Sequence, residues 1–279
     1  MPSARLYDEA TYGVTMYSGD PDTKLTLTSS PFNWLEASFF YSSIDGLNYC
    51  IFDYDPVCNQ DYKDKGFNFK IKIKEEGTFP AIAIGINDLG GTGYYGSEYI
   101  VGSYGINNLD FHFGLGWGAL NGSKNSFKNP FGYLSDRFNN RPDTEADVGE
   151  FTAGRYFSGE DVSPFFGLSY AMNRKMLLKL EYDTTLTPGY IGYEDPKEDF
   201  SLGLEYSFNK NFSIGFSAER GNTASIKFIY KNNPIEKKSY YRYQKARSKE
   251  SDDTYTKFIK NVENNGIGVN KILETSDSI

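Results

Sequence analysis

The chain has 279 residues, 17% of them aromatic, with 23 Tyr, 22 Phe and 28 Gly, a composition that suits pleated surfaces and tight turns and points to an all-β fold. A formal net charge of -8 excludes the basic stripe that a phosphate backbone demands, so no nucleic-acid partner is expected. A mean hydropathy of -0.54, without an uninterrupted apolar run of roughly 18 to 20 residues, excludes a spanning helix. It leaves open a spanning barrel, whose strands alternate apolar and polar residues.

Met1 is followed at once by Pro2-Ser3-Ala4-Arg5, with no basic start and no apolar stretch, so for an exported protein the start reads as trimmed or mis-assigned. Period-2 alternation then begins. Its apolar sets are Tyr12, Val14 and Met16, then Leu25 and Leu27, then Leu35, Ala37, Phe39 and Tyr41 opposite Glu36, Ser38 and Ser42. Cys50 and Cys58 share one polar segment and could close a short loop as a disulfide in an oxidising compartment, with two unrelated thiols as the alternative. The acidic residues around them, Asp53, Asp55, Asp61 and Asp64, have a spacing that fits no calcium loop and read as solvated charge.

Phe67, Phe69, Ile71 and Ile73 alternate with Asn68, Lys70, Lys72 and Lys74 without exception, and residues 79–86 and 98–104 continue the pattern less sharply. Leu109, Phe111, Phe113, Leu115 and Trp117 face one way, against Asp110, His112, Gly114, Gly116 and Gly118. Phe166, Leu168 and Tyr170 follow, then Leu178, Leu180 and Tyr182 against Lys179, Glu181 and Asp183. The last three sets run from Phe200 to Tyr206, Phe212 to Ala218 and Ala224 to Tyr230. The total predicts an antiparallel transmembrane β-barrel of about 12 strands.

Link lengths provide an independent test, since bacterial barrels alternate short periplasmic turns with longer external loops. Short links fall at 30–34, 75–78, 105–108, 173–175 and 209–211, and longer ones at 44–65, 87–97, 118–162 and 184–198. Counting the hairpins at 19–23 and 220–223 as external completes the alternation and places both termini in the periplasm. Segment 150–158 has strand character but would break the parity, so it is assigned to an external loop folding over or into the lumen. The barrel is thus expected over residues 1–233. Residues 234–279 read as a periplasmic linker, a helix capped by Ser251 and one strand, the start of an incomplete α/β module.

No catalytic constellation emerges. His112, the sole histidine, has no cysteine partner and reads as a polar lumen residue. Glu181 and Asp183 share a face and could serve a polysaccharide hydrolase, but a hydrated wall that also carries Lys179 and Glu205 is the stronger reading. The candidate polymer contacts are these four with Asp110, His112 and the row Lys70, Lys72 and Lys74, whose like charges must be countered by Glu36 or by an anionic passenger. Gly91, Thr92, Gly93, Tyr94 and Tyr95, with Glu98, form a loop candidate; no helix follows to hold a phosphate, so a tight loop against the wall is expected. Trp34, Tyr41, Trp117, Tyr170 and Tyr206 suit an interfacial girdle. No metal or cofactor is expected.

Several blocks carry a family resemblance: Pro2 to Glu9 followed by Tyr12-Gly13-Val14-Thr15, Leu27 to Ala37, Tyr62-Lys63-Asp64-Lys65, Ala83-Ile84-Gly85 with Asp88 and Gly91-Thr92-Gly93, and Ser97-Glu98-Tyr99. Gly114-Leu115-Gly116-Trp117-Gly118, Lys179 to Asp183 and Glu219 to Thr223 extend it, so that it covers roughly residues 2 to 230. In this order the blocks resemble the start of YjbH-type proteins of exopolysaccharide and capsule operons. The resemblance implies a protein in contact with outer-membrane lipid and tied to an extracellular polysaccharide, working with periplasmic or lipoprotein partners of the same operon. It supplies no catalytic residues, and members of the family are longer. The expected function is therefore non-enzymatic export, anchoring or assembly of the polymer, with a polysaccharide-modifying enzyme and a general diffusion porin as alternatives.

Overall fold

A computed structural model describes residues 1–48, 60–142, 153–186 and 197–235. Its strands are β1 (Thr11–Ser18), β2 (Asp22–Phe32), β3 (Leu35–Asn48), β4 (Asp61–Lys74), β5 (Ala81–Leu89), β6 (Ser97–Ile106), β7 (Leu109–Gly118), the two-residue β8 (Phe127–Lys128), β9 (Asp161–Ala171), β10 (Met176–Tyr182), β11 (Phe200–Ser207), β12 (Phe212–Glu219) and β13 (Thr223–Asn232). Apart from β8, each pairs antiparallel with the next long strand in the chain. β13 returns to β1, from Tyr12 opposite Asn232 to Ser18 opposite Ile226, and closes a barrel of twelve strands. β8 lies on β9 beyond the reach of β10.

Closure satisfies every strand edge, which an open sheet of this size would leave as unpaired N–H and C=O groups. Alternation then sorts the side chains. Leu25, Leu27, Phe67, Ile71, Phe113, Phe216 and Phe228 stand exposed on the outer wall, while Asp22, Ser30, Ser42, Asp64, Ser103 and Asp110 are buried inside it. Five short links join strands at one end of the barrel, and the longer loops and the hairpins after β1 and β12 lie at the other. The interior also holds an apolar cluster of Ala4, Ala81, Ala83, Tyr99, Val101, Leu120 and Phe165, with Met1 packed against it.

Cys50, Cys58, Asp53 and Asp55 lie outside the described residues, as does the tail from residue 236 onward, so the expected disulfide and α/β module do too. Segment 153–155 is a turn of 3-10 helix in the loop between β8 and β9, not a spanning strand.

Candidate functional site

The residues before β1 run inside the barrel, held by groups from strands far away in the sequence. Ala4 N donates to Ser103 Oγ at 2.8 Å, and the same hydroxyl meets His112 Nδ1 at 2.8 Å. Arg5 makes a two-pronged contact with Asp110, Nε to Oδ2 at 2.9 Å and Nη2 to Oδ1 at 2.6 Å, and also pairs with Glu76. Lys70 Nζ donates to the carbonyl of Arg5 at 2.7 Å and pairs with Glu36 at 2.8 Å, while Glu36 accepts from Tyr7 N at 2.9 Å. Small inward residues make the room: Ala81 and Ala83 line the cluster around Ala4, and a Cβ on Gly167 would stand 2.6 Å from Met1 Cε. The amino group of Met1 lies 3.1 Å from Glu181 Oε2.

Three sequence-level candidates, Glu36, Lys70 and Asp110, are thus brought together around one strap of the chain itself, and His112 joins them through Ser103. The lysine row divides. Lys70 and Lys72 keep the inward register, Lys72 opposite the buried Ala83 and paired with Glu75 at 2.8 Å, but Lys74 is exposed, its ammonium 4.5 Å from the centre of the Phe79 ring. The cause is a β-bulge between Lys72 and Lys74, which ends the strict alternation on which the expected three-lysine row depended.

Nearer the other end, the loop between β5 and β6 turns inward. Thr92 Oγ1 donates to Asp64 Oδ1 at 2.8 Å, Tyr95 N to Asp88 Oδ2 at 3.1 Å, and the Tyr95 hydroxyl to Asp22 Oδ1 at 2.7 Å. Lys24 Nζ sits 3.5 Å from the centre of the Tyr95 ring, which stands edge-on to Phe40. Burial, and then Asp22, push the Tyr95 phenol well above its ordinary pKa, so the hydroxyl stays protonated and remains the donor. Gly66 and Gly91 leave the space that the Asp88 carboxylate occupies; a Cβ on either would collide with its Oδ1. Tyr94 packs edge-on against Tyr62 at 5.1 Å, and Gly93 O accepts from Arg155 at 3.5 Å. Among the described residues no cluster of three or more His, Cys, Asp or Glu could hold a metal ion.

Across the lumen, β10 to β13 form a mixed-charge wall. Lys179 pairs with Glu205 at 3.0 Å, and Glu219 accepts from Tyr17, Ser217 and Ser225. Asp183 accepts from the backbone N of Thr185 at 2.9 Å. A cavity of about 130 Å³ opens on this wall.

Glu98, by contrast, is not a loop-tip group. It shares the outward register with Ile100 and pairs opposite Trp117, yet it is 1% exposed because the long loop after β7 folds down over the outer wall. Arg141 grips it with two hydrogen bonds of 2.7 and 2.9 Å, and Phe157 N adds a third of 3.0 Å. Trp117, 0% exposed, stacks on Phe131 at 5.5 Å and meets Phe157 edge-on at 5.2 Å. It therefore belongs to no girdle, because the aromatic residues of the loop cover it. Trp34, 47% exposed and stacked on Phe32, keeps the exposure that a girdle needs. Burial, and then nearby Arg141, lower the pKa of the Arg155 guanidinium from its ordinary value.

Sequence reasoning did not single out Arg5, Asp22, Lys24, Tyr17, Glu219, Lys227 or Arg141 as site residues. For Lys24 and Lys227 a signal was there, since each is a charge on the inward alternation of a recognised strand, whereas Asp22 and Glu219 fall at the edges of the expected hairpins. For Arg5 and Arg141, outside the strands, there was none.

Over residues 1–275 the chain matches the family model YjbH, described as exopolysaccharide biosynthesis protein YbjH. The chain belongs to the YjbH family. Among curated proteins, the "Uncharacterized lipoprotein YjbH" of Escherichia coli (strain K12) is 32% identical over 225 residues, which make up 80% of this chain and 32% of that protein. The chain thus spans about a third of the length of that relative. Among solved structures it is similar to the KdgM porin in complex with disordered oligogalacturonate, with a TM-score of 0.42 and 8% identity, covering 84% of this chain and 99% of that one. The NanC porin is a further likeness, with a TM-score of 0.36 and 10% identity, covering 81% and 99%.

Proposed function

We propose that this YjbH-family barrel sits in the bacterial outer membrane, with both barrel ends of the chain on the periplasmic side, and serves export, anchoring or assembly of an extracellular polysaccharide. The observation that carries the reading is the occupied lumen: Glu36, Lys70 and Asp110 hold residues of the chain itself. A general diffusion porin needs an open water-filled channel, and an internal strap fixed by several ion pairs works against one. The outer wall of exposed Leu, Ile and Phe residues suits lipid, and the exposed aromatic residues Trp34, Tyr41, Tyr170 and Phe208 suit the interface. A hydrolase needs a free acid and base flanking a bond, and here Glu205 is engaged by Lys179. Periplasmic or lipoprotein partners of the same operon would receive or deliver the polymer at the short-turn end.

The test combines two measurements on the natural full-length protein. Planar-bilayer recordings are expected to show little steady conductance for the unaltered protein, and deletion of its gene is expected to lower surface polysaccharide. Large steady conductance, or polysaccharide unchanged by the deletion, would overturn the proposal.

A further inference from the structure

The cavity on the wall of β10 to β13 holds two polar groups with hydrogen-bonding capacity to spare. Ser201 Oγ is buried, on a residue only 7% exposed, and has no hydrogen-bond partner among the described residues. Ser201 lies opposite Glu181 and Glu219 in register, so its side chain is on the lumen face and lines the cavity. Lys227, inward on β13 opposite Gly215, also lines it and makes no ion pair or hydrogen bond among the described residues. A buried hydroxyl without a partner forgoes free energy that a ligand would recover, and the Lys227 ammonium, drawn on by Glu205, Glu181 and Glu219 but hydrogen-bonded to none of them, keeps its donors open. Gly203 and Gly215, inward on adjacent strands, keep the floor of the cavity clear.

The charges around these groups narrow what fits. Lys179 and Lys227 supply two cations against the four carboxylates of Glu181, Asp183, Glu205 and Glu219. Sugar hydroxyls both donate and accept, so one ring can accept from Lys227 and Ser201 while donating to carboxylates, which only accept. A uronate has a carboxylate where a neutral hexose has a hydroxymethyl group, and it would face several like charges at close range. At the share of roughly 30 Å³ that a water takes in the liquid, the 130 Å³ cavity has room for about four waters, on the scale of one sugar unit and not of a folded chain.

We propose that this cavity is a subsite for one uncharged hexose unit of the polymer, anchored by Lys227 and Ser201, and that its carboxylate excess selects against uronic acid units. The inference rests on the polysaccharide reading above and deepens it.

The experiment is titration calorimetry on the full-length protein in detergent, with glucose, galactose and mannose hexasaccharides as neutral probes and an oligogalacturonate of equal length as the acidic one. At least one neutral probe is expected to bind at least tenfold more tightly than the oligogalacturonate. Lys227→Met and Ser201→Ala should each weaken that binding about tenfold. Gly203→Val provides a variant that removes no charge: its new side chain enters the cavity, where a Cβ makes only ordinary contacts of 3.7 Å or more, and should abolish binding while the barrel keeps its heat-dependent gel mobility. Oligogalacturonate binding equally well, binding unaffected by all three variants, or no binding of any probe would overturn the subsite. Its failure is separable from failure of the function, which is read from surface polysaccharide in the deletion strain.

Discussion

Arg5 and Asp110 stand 105 residues apart in sequence, yet the guanidinium closes on the carboxylate through two hydrogen bonds of 2.6 and 2.9 Å inside the barrel. This pair ties the strap before β1 to the wall at β7, and Glu76 draws on the same guanidinium from the turn after β4.

Arg5→Ala should loosen the strap and raise bilayer conductance above that of the unaltered protein. Removing Arg5 leaves the Asp110 carboxylate without its cation, whereas Arg5 keeps Glu76 when Asp110 is removed, so Arg5→Ala should destabilise more than Asp110→Ala does. A cycle of Arg5→Ala, Asp110→Ala and both together should give a coupling of about 1–3 kcal/mol in the unfolding equilibrium. Strictly additive effects would mean that the two groups do not hold each other.

Glu98→Ala should release the outer lobe without opening the barrel. It removes the acceptor of three hydrogen bonds and leaves Arg141 with backbone carbonyl acceptors but no carboxylate, at a local cost of about 3 kcal/mol. With Trp34→Phe as background, Trp117 becomes the sole tryptophan, since the chain has two. Its emission should then move to longer wavelength and its acrylamide quenching should rise several-fold in the Glu98 variant. Unchanged quenching would show that the stacked aromatics hold the lobe by themselves.

Gly85→Ala should weaken the barrel wall, because a Cβ there would run into the ring of Tyr99 on the facing strand. Overpacking of this kind costs roughly 1–3 kcal/mol, readable as a lower temperature for the heat-dependent gel shift. Adding Tyr99→Leu, which removes the ring, should restore most of the loss.

Tyr95→Phe should destabilise by about 1–3 kcal/mol, since it leaves the Asp22 carboxylate without its donor and Ser42 Oγ without that partner. The ring stays over Lys24, so hydrogen exchange should quicken in the loop after β5 and not in the barrel as a whole.

The strands were legible because closure and lipid-style alternation impose period 2 on almost every residue, and the block from Phe67 to Ile73 shows it without a break. The Glu36 and Lys70 contact was readable too, since the two lie opposite each other in the β3 and β4 register. Lys74 misled because a bulge is a local event that alternation does not announce. Trp117 misled for a different reason: periodicity assigns its face correctly but does not say that Phe131 and Phe157, distant in the chain, come to cover that face. Arg5 was illegible because it lies before the first strand and its role is set by Asp110 and Glu76, neither of them near it in sequence.

The seam between β1 and β13 has a consequence for how the protein is put together. Every other pairing of long strands joins neighbours along the chain, whereas Tyr12 must find Asn232 across nearly the whole described barrel. Loop-closure entropy therefore concentrates in one stitch. Residues 1 to 8 lead directly into the strand that forms that stitch, so joining the first strand to the last also commits the leader to the inside. The wall is sewn shut around its own thread, and whatever machinery guides the final seam also decides whether the lumen is filled.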